Sequence, residues 1–194
     1  MLKEKLKGYN VILASGSPRR QQFLRELDID FEIRLKEVEE IYPQTLKGAE
    51  ITDFLAELKA AALTETLSEN EILITSDTIV WHENKALGKP KDYDDAFAMI
   101  KALSGKTHEV ITSVCIKNAK RSDTFNETTK VTFNPLTDEE IKYYLDNYKP
   151  FDKAGSYGIQ EWIGLVAIAK IEGSYANVVG MPVDKVYQHL VNFT

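Results

Sequence analysis

Apolar residues in this chain come in short unbroken runs, separated by segments in which they recur every third or fourth position. That is the rhythm of buried strands alternating with amphipathic helices. Val11-Ile12-Leu13-Ala14 predicts a short buried strand, Pro18 to Leu27 a helix, and Phe31 to Leu35 an extended segment. Glu37-Val38-Glu39-Glu40 reads as an acidic loop. From about Thr52 to Leu67 the residues Phe54, Leu55, Leu58 and Ala62 share one helical face. Glu71 to Thr75 predicts a buried strand that Thr78 to Trp81 continues, and the turn Glu83-Asn84-Lys85 leads back through Ala86 and Leu87. A helix from about Asp94 to Leu103 precedes the longest strand signal, Thr107 to Lys117. The turn Lys120 to Asp123 folds that strand as a hairpin onto Thr124 to Phe133. A helix over Asp138 to Asn147 stops before Pro150. The Gly-containing stretch Ala154 to Gly158, a strand through Leu165 to Ile171, a loop and a helix near Val183 to Leu190 complete the chain. Strands alternating with helices, with one hairpin, predict an α/β fold: a mixed twisted sheet flanked by helices in a single domain, residues 1–194.

Composition narrows the function. A chain of 194 residues, 43% hydrophobic and 28% charged, can bury a proper core and is neither disordered nor a coiled coil. Its net charge of −6 argues against a broad nucleic-acid face, so any phosphate chemistry must use a local basic pocket for a small ligand. Met1 to Lys5 is charged and leads into too short an apolar run for a secretory signal. The longest late apolar run, Ile163 to Ala169, is far too short for a membrane span. The single cysteine, Cys115, excludes an internal disulfide and a cysteine zinc site, and its strand-like surroundings make it a buried, inert thiol. A cytoplasmic location is expected.

The candidate chemistry begins at Leu13-Ala14-Ser15-Gly16-Ser17-Pro18-Arg19-Arg20. Ser17 stands where a helix N-cap belongs, with Pro18 at the first helical position. Arg19 and Arg20 in that first turn oppose the helix dipole unless an anion sits there. A phosphate cradle and a solvated basic helix start both fit these residues. Asp77, after the strand in Ser76-Asp77-Thr78, is placed either to hold a divalent metal or orient a water, or to form a turn with its own backbone. Glu37, Glu39 and Glu40 are either metal ligands or a solvated charge run. Lys59 in Leu58-Lys59-Ala60-Ala61-Ala62 and Lys89 in Gly88-Lys89-Pro90 could each neutralise a phosphate or simply face water. Gln160 carries the paired donor and acceptor that read a nucleobase edge, or is a surface amide.

Other signals lead nowhere. Ser104-Gly105-Lys106-Thr107 resembles the end of a Walker A loop, but Ile100 stands where the first glycine belongs and a strand follows. The three histidines, His82, His108 and His189, lack metal-ligand spacing and are expected in solvated or strand-edge positions. There is no Gly-x-Ser-x-Gly elbow.

Taken in order, these blocks resemble the Maf family of nucleotide pyrophosphatases: Leu13 to Arg20, Glu37 to Glu40, Leu55 to Ala60, Ser76-Asp77-Thr78, Leu87 to Pro90, Leu103 to His108, Asp152 to Gln160 and Glu172 to Pro182. The resemblance implies cleavage of a nucleoside triphosphate between its α and β phosphates, with a divalent cation (Mg²⁺, Mn²⁺ or Co²⁺). It also implies an elongated two-lobed α/β fold with a central cleft, and often a homodimer. Asp77 falls on the family's catalytic aspartate; Ser15, Arg20, Lys59 and Lys89 fall on its phosphate-side positions. Glu39 falls on a nearby acidic position, making Glu39 and Asp77 the implied metal ligands, although the acidic run allows a shift of one or two residues. Arg19, Thr78 and Gln160 look like the subgroup acting on dTTP and UTP. No nucleic acid or membrane partner is implied. A nucleotide-binding regulator of cell division with little turnover would present the same binding residues. Ser76, where alanine is more usual, adds a hydroxyl beside the catalytic aspartate.

Overall fold

The structure is a computed structural model that describes residues 1–193. In chain order its elements are α1 (Leu2–Lys5), β1 (Asn10–Leu13), α2 (Pro18–Glu26), β2 (Phe31–Ile33), α3 (Ala49–Leu63), β3 (Glu71–His82) and β4 (Lys85–Leu87). There follow α4 (Tyr93–Leu103), β5 (Thr107–Lys117), β6 (Ser122–Phe133), α5 (Asp138–Tyr148), α6 (Trp162–Val166), β7 (Ile168–Glu172), α7 (Tyr175–Val179) and α8 (Val183–Phe193). The strands form one mixed sheet in the order β2-β1-β3-β5-β6-β7, with β4 on β3. β1 runs parallel to both neighbours, Leu13 pairing with Ile33 and with Ile74. β4 is antiparallel to β3, and β7 antiparallel to β6. The expected mixed sheet flanked by helices is therefore the fold.

Two compact units divide the chain. The first comprises 1–77, 112–127 and 180–194, the second 78–111 and 128–179. In the first unit the parallel strands are covered on both faces, which is why β1 and the start of β3 read as unbroken apolar runs. One face packs Leu13, Ile72, Ile74, Val114 and Ile116 against Leu24 of α2 and Val186 and Leu190 of α8. On the other, Ile12, Leu73 and Cys115 meet Ala56, Ala60 and Leu63 of α3. Cys115 is fully buried, as its strand pattern suggested. The second unit has its own core, in which Val80, Val110, Val131 and Phe133 pack with Ile100, Leu103, Tyr144 and Ile163.

The structure departs from the sequence pattern at three elements. α3 begins at Ala49, not Thr52, because Gly48 supplies the turn into it at φ +51° and the Glu50 carboxylate accepts the Lys47 N–H at 3.0 Å. It ends at Leu63, where the Thr64 and Thr66 hydroxyls bond back to the Ala60 and Leu63 carbonyls over a 3₁₀ turn. Leu165, read as the start of a strand, lies in α6. An apolar run of that length fits either helix or strand, and burial of Ile163 and Ala167 four apart, with Leu165 85% exposed, settles it as helix. The loop before α8 holds a short helix, α7. Ser17 does stand at the N-cap of α2, but its hydroxyl caps no backbone N–H.

Candidate active site

β1 ends at Leu13, and the chain turns through Ser15 into α2. Ser15 is buried; its Oγ accepts the Ser17 N–H at 3.2 Å and faces Arg20 Nη1 at 3.4 Å. Arg20, in the first turn of α2, reaches back across the strand ends. Its Nε donates to the Gly180 carbonyl at 2.9 Å and its Nη1 to the Ser76 carbonyl at 3.1 Å. One guanidinium thus ties together α2, β3 and the segment leading into α8. Burial lowers its pKa, the charges of Asp77 and Glu40 oppose that shift, and neighbouring Arg19 adds to it. A guanidinium stays charged through such shifts, so the helix start carries a fixed cation.

Asp77 follows Thr75 by two residues on β3, so both side chains face α3. The Thr75 hydroxyl donates to the Ala56 carbonyl at 2.7 Å, which fixes helix against strand. One turn further along α3, Lys59 places its Nζ 2.6 Å from Asp77 Oδ1 and 2.9 Å from Glu40 Oε1. The Asp77 side chain is only 9% exposed. β3 runs unbroken through Asp77 to His82, which rules out the turn-forming reading of this aspartate. Instead Asp77 lies just past Ile74, the last β3 residue paired with β1. That is the carboxyl end of the parallel strands, where open α/β sheets place their ligands.

The structure brings Glu40, not Glu39, to Lys59. The Ile41 N–H bonds the Glu39 carbonyl at 2.8 Å, a tight turn centred on Glu40. Both glutamates are exposed, and it is the Glu40 side chain, half exposed, that reaches Lys59. Two carboxylates thus converge on one cationic group. Their hard oxygens are of the kind that a divalent cation takes as ligands. Among the described residues no group of three or more His, Cys, Asp or Glu side chains could hold a metal alone.

The other expected site residues divide between the units. Arg19 is half-buried beside Arg20 in the first. Thr78, Lys89 and Gln160 belong to the second. Thr78 is half-buried, and its side chain leaves β3 on the face opposite Asp77. Lys89 is exposed, between buried Pro90 and Gly88, whose carbonyl accepts the Gly155 N–H at 3.0 Å. Gln160 is exposed. The histidines differ from expectation. His82 and His108 are buried, and His108 Nε2 lies 2.8 Å from the Tyr157 hydroxyl. His189 pairs with Asp123 at 2.7 Å. The Ser76 hydroxyl, fully buried, finds no hydrogen-bond partner among the described residues, so it does not bond Asp77. Sequence reasoning missed the Gly180 and Ser76 carbonyls that anchor Arg20. Gly180 lay inside a recognised block but carried no role, because a backbone acceptor leaves no mark in residue type.

A buried aspartate held by a lysine at the carboxyl end of parallel strands, next to a helix start with a fixed guanidinium, defines an α/β protein built to receive an anionic ligand. The Maf family model, described as "Maf-like protein", matches residues 10–193, and the chain belongs to the Maf family. It is 64% identical over 194 residues to a protein of Flavobacterium psychrophilum named dTTP/UTP pyrophosphatase, covering all of both chains. A protein of Flavobacterium johnsoniae with the same name is 67% identical over 190 residues, 98% of each chain. The solved structure of the Staphylococcus aureus Ham1 protein resembles it in fold, with a TM-score of 0.55 at 12% identity, covering 95% of this chain and all of that one.

Proposed function

We propose that this chain is a nucleoside triphosphate pyrophosphatase that hydrolyses dTTP and UTP to the monophosphate and pyrophosphate. The observation that carries this reading is the Asp77–Lys59 pair at 2.6 Å, in a chain that matches proteins of that name along nearly its whole length. Asp77 orients the attacking water and accepts its proton as the new P–O bond forms at the α-phosphorus and the bond to the bridging oxygen breaks. Lys59 holds Asp77 in one rotamer and offsets charge on the phosphates. Arg20 contributes fixed positive charge at the start of α2 and keeps the Ser15 turn and the Ser76 carbonyl in place. Lys89 neutralises phosphate oxygens further along the chain of the substrate. Arg19, Thr78 and Gln160 select the base.

An ordinary aspartate, with a pKa of about 3.9, is a weak base for water. Asp77 and Glu40 would hold a divalent cation, which when bound lowers the pKa of a coordinated water and neutralises developing phosphate charge. Glu40 takes the ligand role first assigned to Glu39, because it is the glutamate that meets Lys59. The reading extends to a cytoplasmic enzyme that works as one domain over 1–194, uses free nucleotides without nucleic acid or membrane, and pairs as a homodimer. The acidic net charge of −6 supports the exclusion of nucleic acid. No helix among the described residues is long and apolar enough to cross a membrane.

The test is a nucleotide panel with Mg²⁺, Mn²⁺ or Co²⁺, scoring pyrophosphate against orthophosphate for the wild type and Asp77→Asn. Pyrophosphate release fastest on dTTP and UTP is expected, with kcat reduced roughly 10³-fold or more in Asp77→Asn. Near wild-type turnover by that variant refutes the role of Asp77. Saturable binding without pyrophosphate release would instead mark a nucleotide-binding regulator.

A further inference from the structure

Gln160 is exposed on an irregular segment, yet the backbone on both sides of it is tied down by groups the reaction does not use. Tyr144 of α5 is fully buried, and its hydroxyl accepts the Gly158 N–H at 3.0 Å while donating to Glu161 Oε2. Burial, and then the Glu161 carboxylate, drives the Tyr144 pKa upward, so the hydroxyl remains a donor. Lys153 Nζ lies 2.9 Å from Glu161 Oε1 and 2.8 Å from Asp152 Oδ1, with its side chain only 11% exposed.

This ion pair crosses directly over Gly158. A Cβ on Gly158 would come within 2.9 Å of both Lys153 Cε and Glu161 Cδ, so any larger residue there would push the ion pair aside. On the near side of Gln160, Ile159 is buried, and its carbonyl oxygen lies 1.7 Å from where a Cβ on Gly164 would stand. On the far side, the Glu161 N–H donates to the Gly158 carbonyl at 3.0 Å. A short surface segment would not need a buried tyrosine and a shielded ion pair to stay folded. Such a frame restricts the direction in which one exposed side chain can point.

We propose that Tyr144, Glu161 and Lys153 form a clamp that positions Gln160, and that this clamp sets how sharply the enzyme separates uracil and thymine from other bases. The proposal rests on the reading of Gln160 as a base-selecting residue. Tyr144, Glu161 and Lys153 are positioning residues, acting on the substrate only through Gln160. A base edge is read by a donor and acceptor at fixed spacing, so freeing the Gln160 backbone blurs selection before it slows the chemistry.

The test compares kcat and KM for dTTP, UTP, CTP and GTP in the wild type, Tyr144→Phe, Glu161→Ala, Glu161→Gln and Gln160→Ala, with a melting temperature for each. Tyr144→Phe and Glu161→Ala are expected to narrow the kcat/KM preference for dTTP over CTP roughly tenfold, through a higher KM for dTTP more than a lower kcat. Glu161→Gln, which keeps an acceptor for the Tyr144 hydroxyl, is expected to restore most of that preference. If Gln160→Ala narrows the preference while Tyr144→Phe and Glu161→Ala slow all four nucleotides equally, the clamp is refuted and the base reading survives. Should Gln160→Ala leave the preference unchanged, the base reading fails and the clamp falls with it. The two Glu161 variants carry the same comparison if Tyr144→Phe does not fold.

Discussion

Lys59 sits between two carboxylates, and that position fixes the cost of losing it. Lys59→Met leaves Asp77 buried beside Glu40 with no ammonium between them. Removing one partner from a mostly buried pair is expected to cost about 2 kcal/mol of stability, together with loss of turnover. Urea melts check the first effect; a variant as stable as the wild type would show that water already screens the pair. Ser76 behaves oppositely. Its buried hydroxyl has no partner among the described residues, so it carries a desolvation penalty with no bond in return. Ser76→Ala is expected to raise stability by about 1 kcal/mol, read as a higher melting temperature. The sequence placed the acidic ligand at Glu39, with the run between β2 and α3 allowing a shift of one or two residues, and the structure brings Glu40 to Lys59 instead. That contact lies beside a tight turn closed by the Ile41 N–H on the Glu39 carbonyl, a backbone bond that leaves no mark in residue type.

Among the elements, the segment after α5 shows how a turn glycine can couple distant parts of the chain. Gly155 has φ +66°, and a Cβ there would approach Val80 Cγ2 of β3 to 2.7 Å. Gly155→Ala therefore adds a left-handed backbone penalty to an overpacked contact, together about 2–4 kcal/mol. Its N–H also bonds the Gly88 carbonyl beside Lys89, so the variant is expected to lower activity along with the unfolding midpoint. A denaturation midpoint unchanged by the substitution would mean that Val80 yields freely. Most elements were legible from periodicity: β1, α2, β5, β6 and α5 fall within a residue or two of their expected bounds. α6 was not, because its apolar run satisfies both rhythms and only packing over Ile163 and Ala167 chose between them.

The molecule's response to acid follows from one buried imidazole. His108 is pushed down to about 3, first by burial and then by the charge of His82. In the unfolded chain a histidine titrates near 6.5, so below that pH the unfolded state takes up a proton that the folded state does not. Stability is therefore flat above about pH 6.5 with respect to this group and falls as pH drops towards 3, at up to about 1.4 kcal/mol per pH unit. His108→Phe removes this linkage. Melting temperatures at pH 7 and 5 should fall less in that variant than in the wild type; an equal fall would show that other groups dominate the acid response.

The sequence alone determined the alternation of strands and helices, the basic helix start at Ser15–Arg20, the position of Asp77 next to a buried strand and the membership of the family. Those features depend on local periodicity, capping and residue type, and their physics acts over a few residues. Tertiary structure alone decided which glutamate meets Lys59, that Arg20 is anchored on the carbonyls of Ser76 and Gly180, and that Tyr144 holds both Gly158 and Glu161 around Gln160. These partners lie from 14 to 160 residues apart in the chain. Partnership at that separation is set by how the elements pack, and a backbone carbonyl is the same acceptor whatever residue carries it.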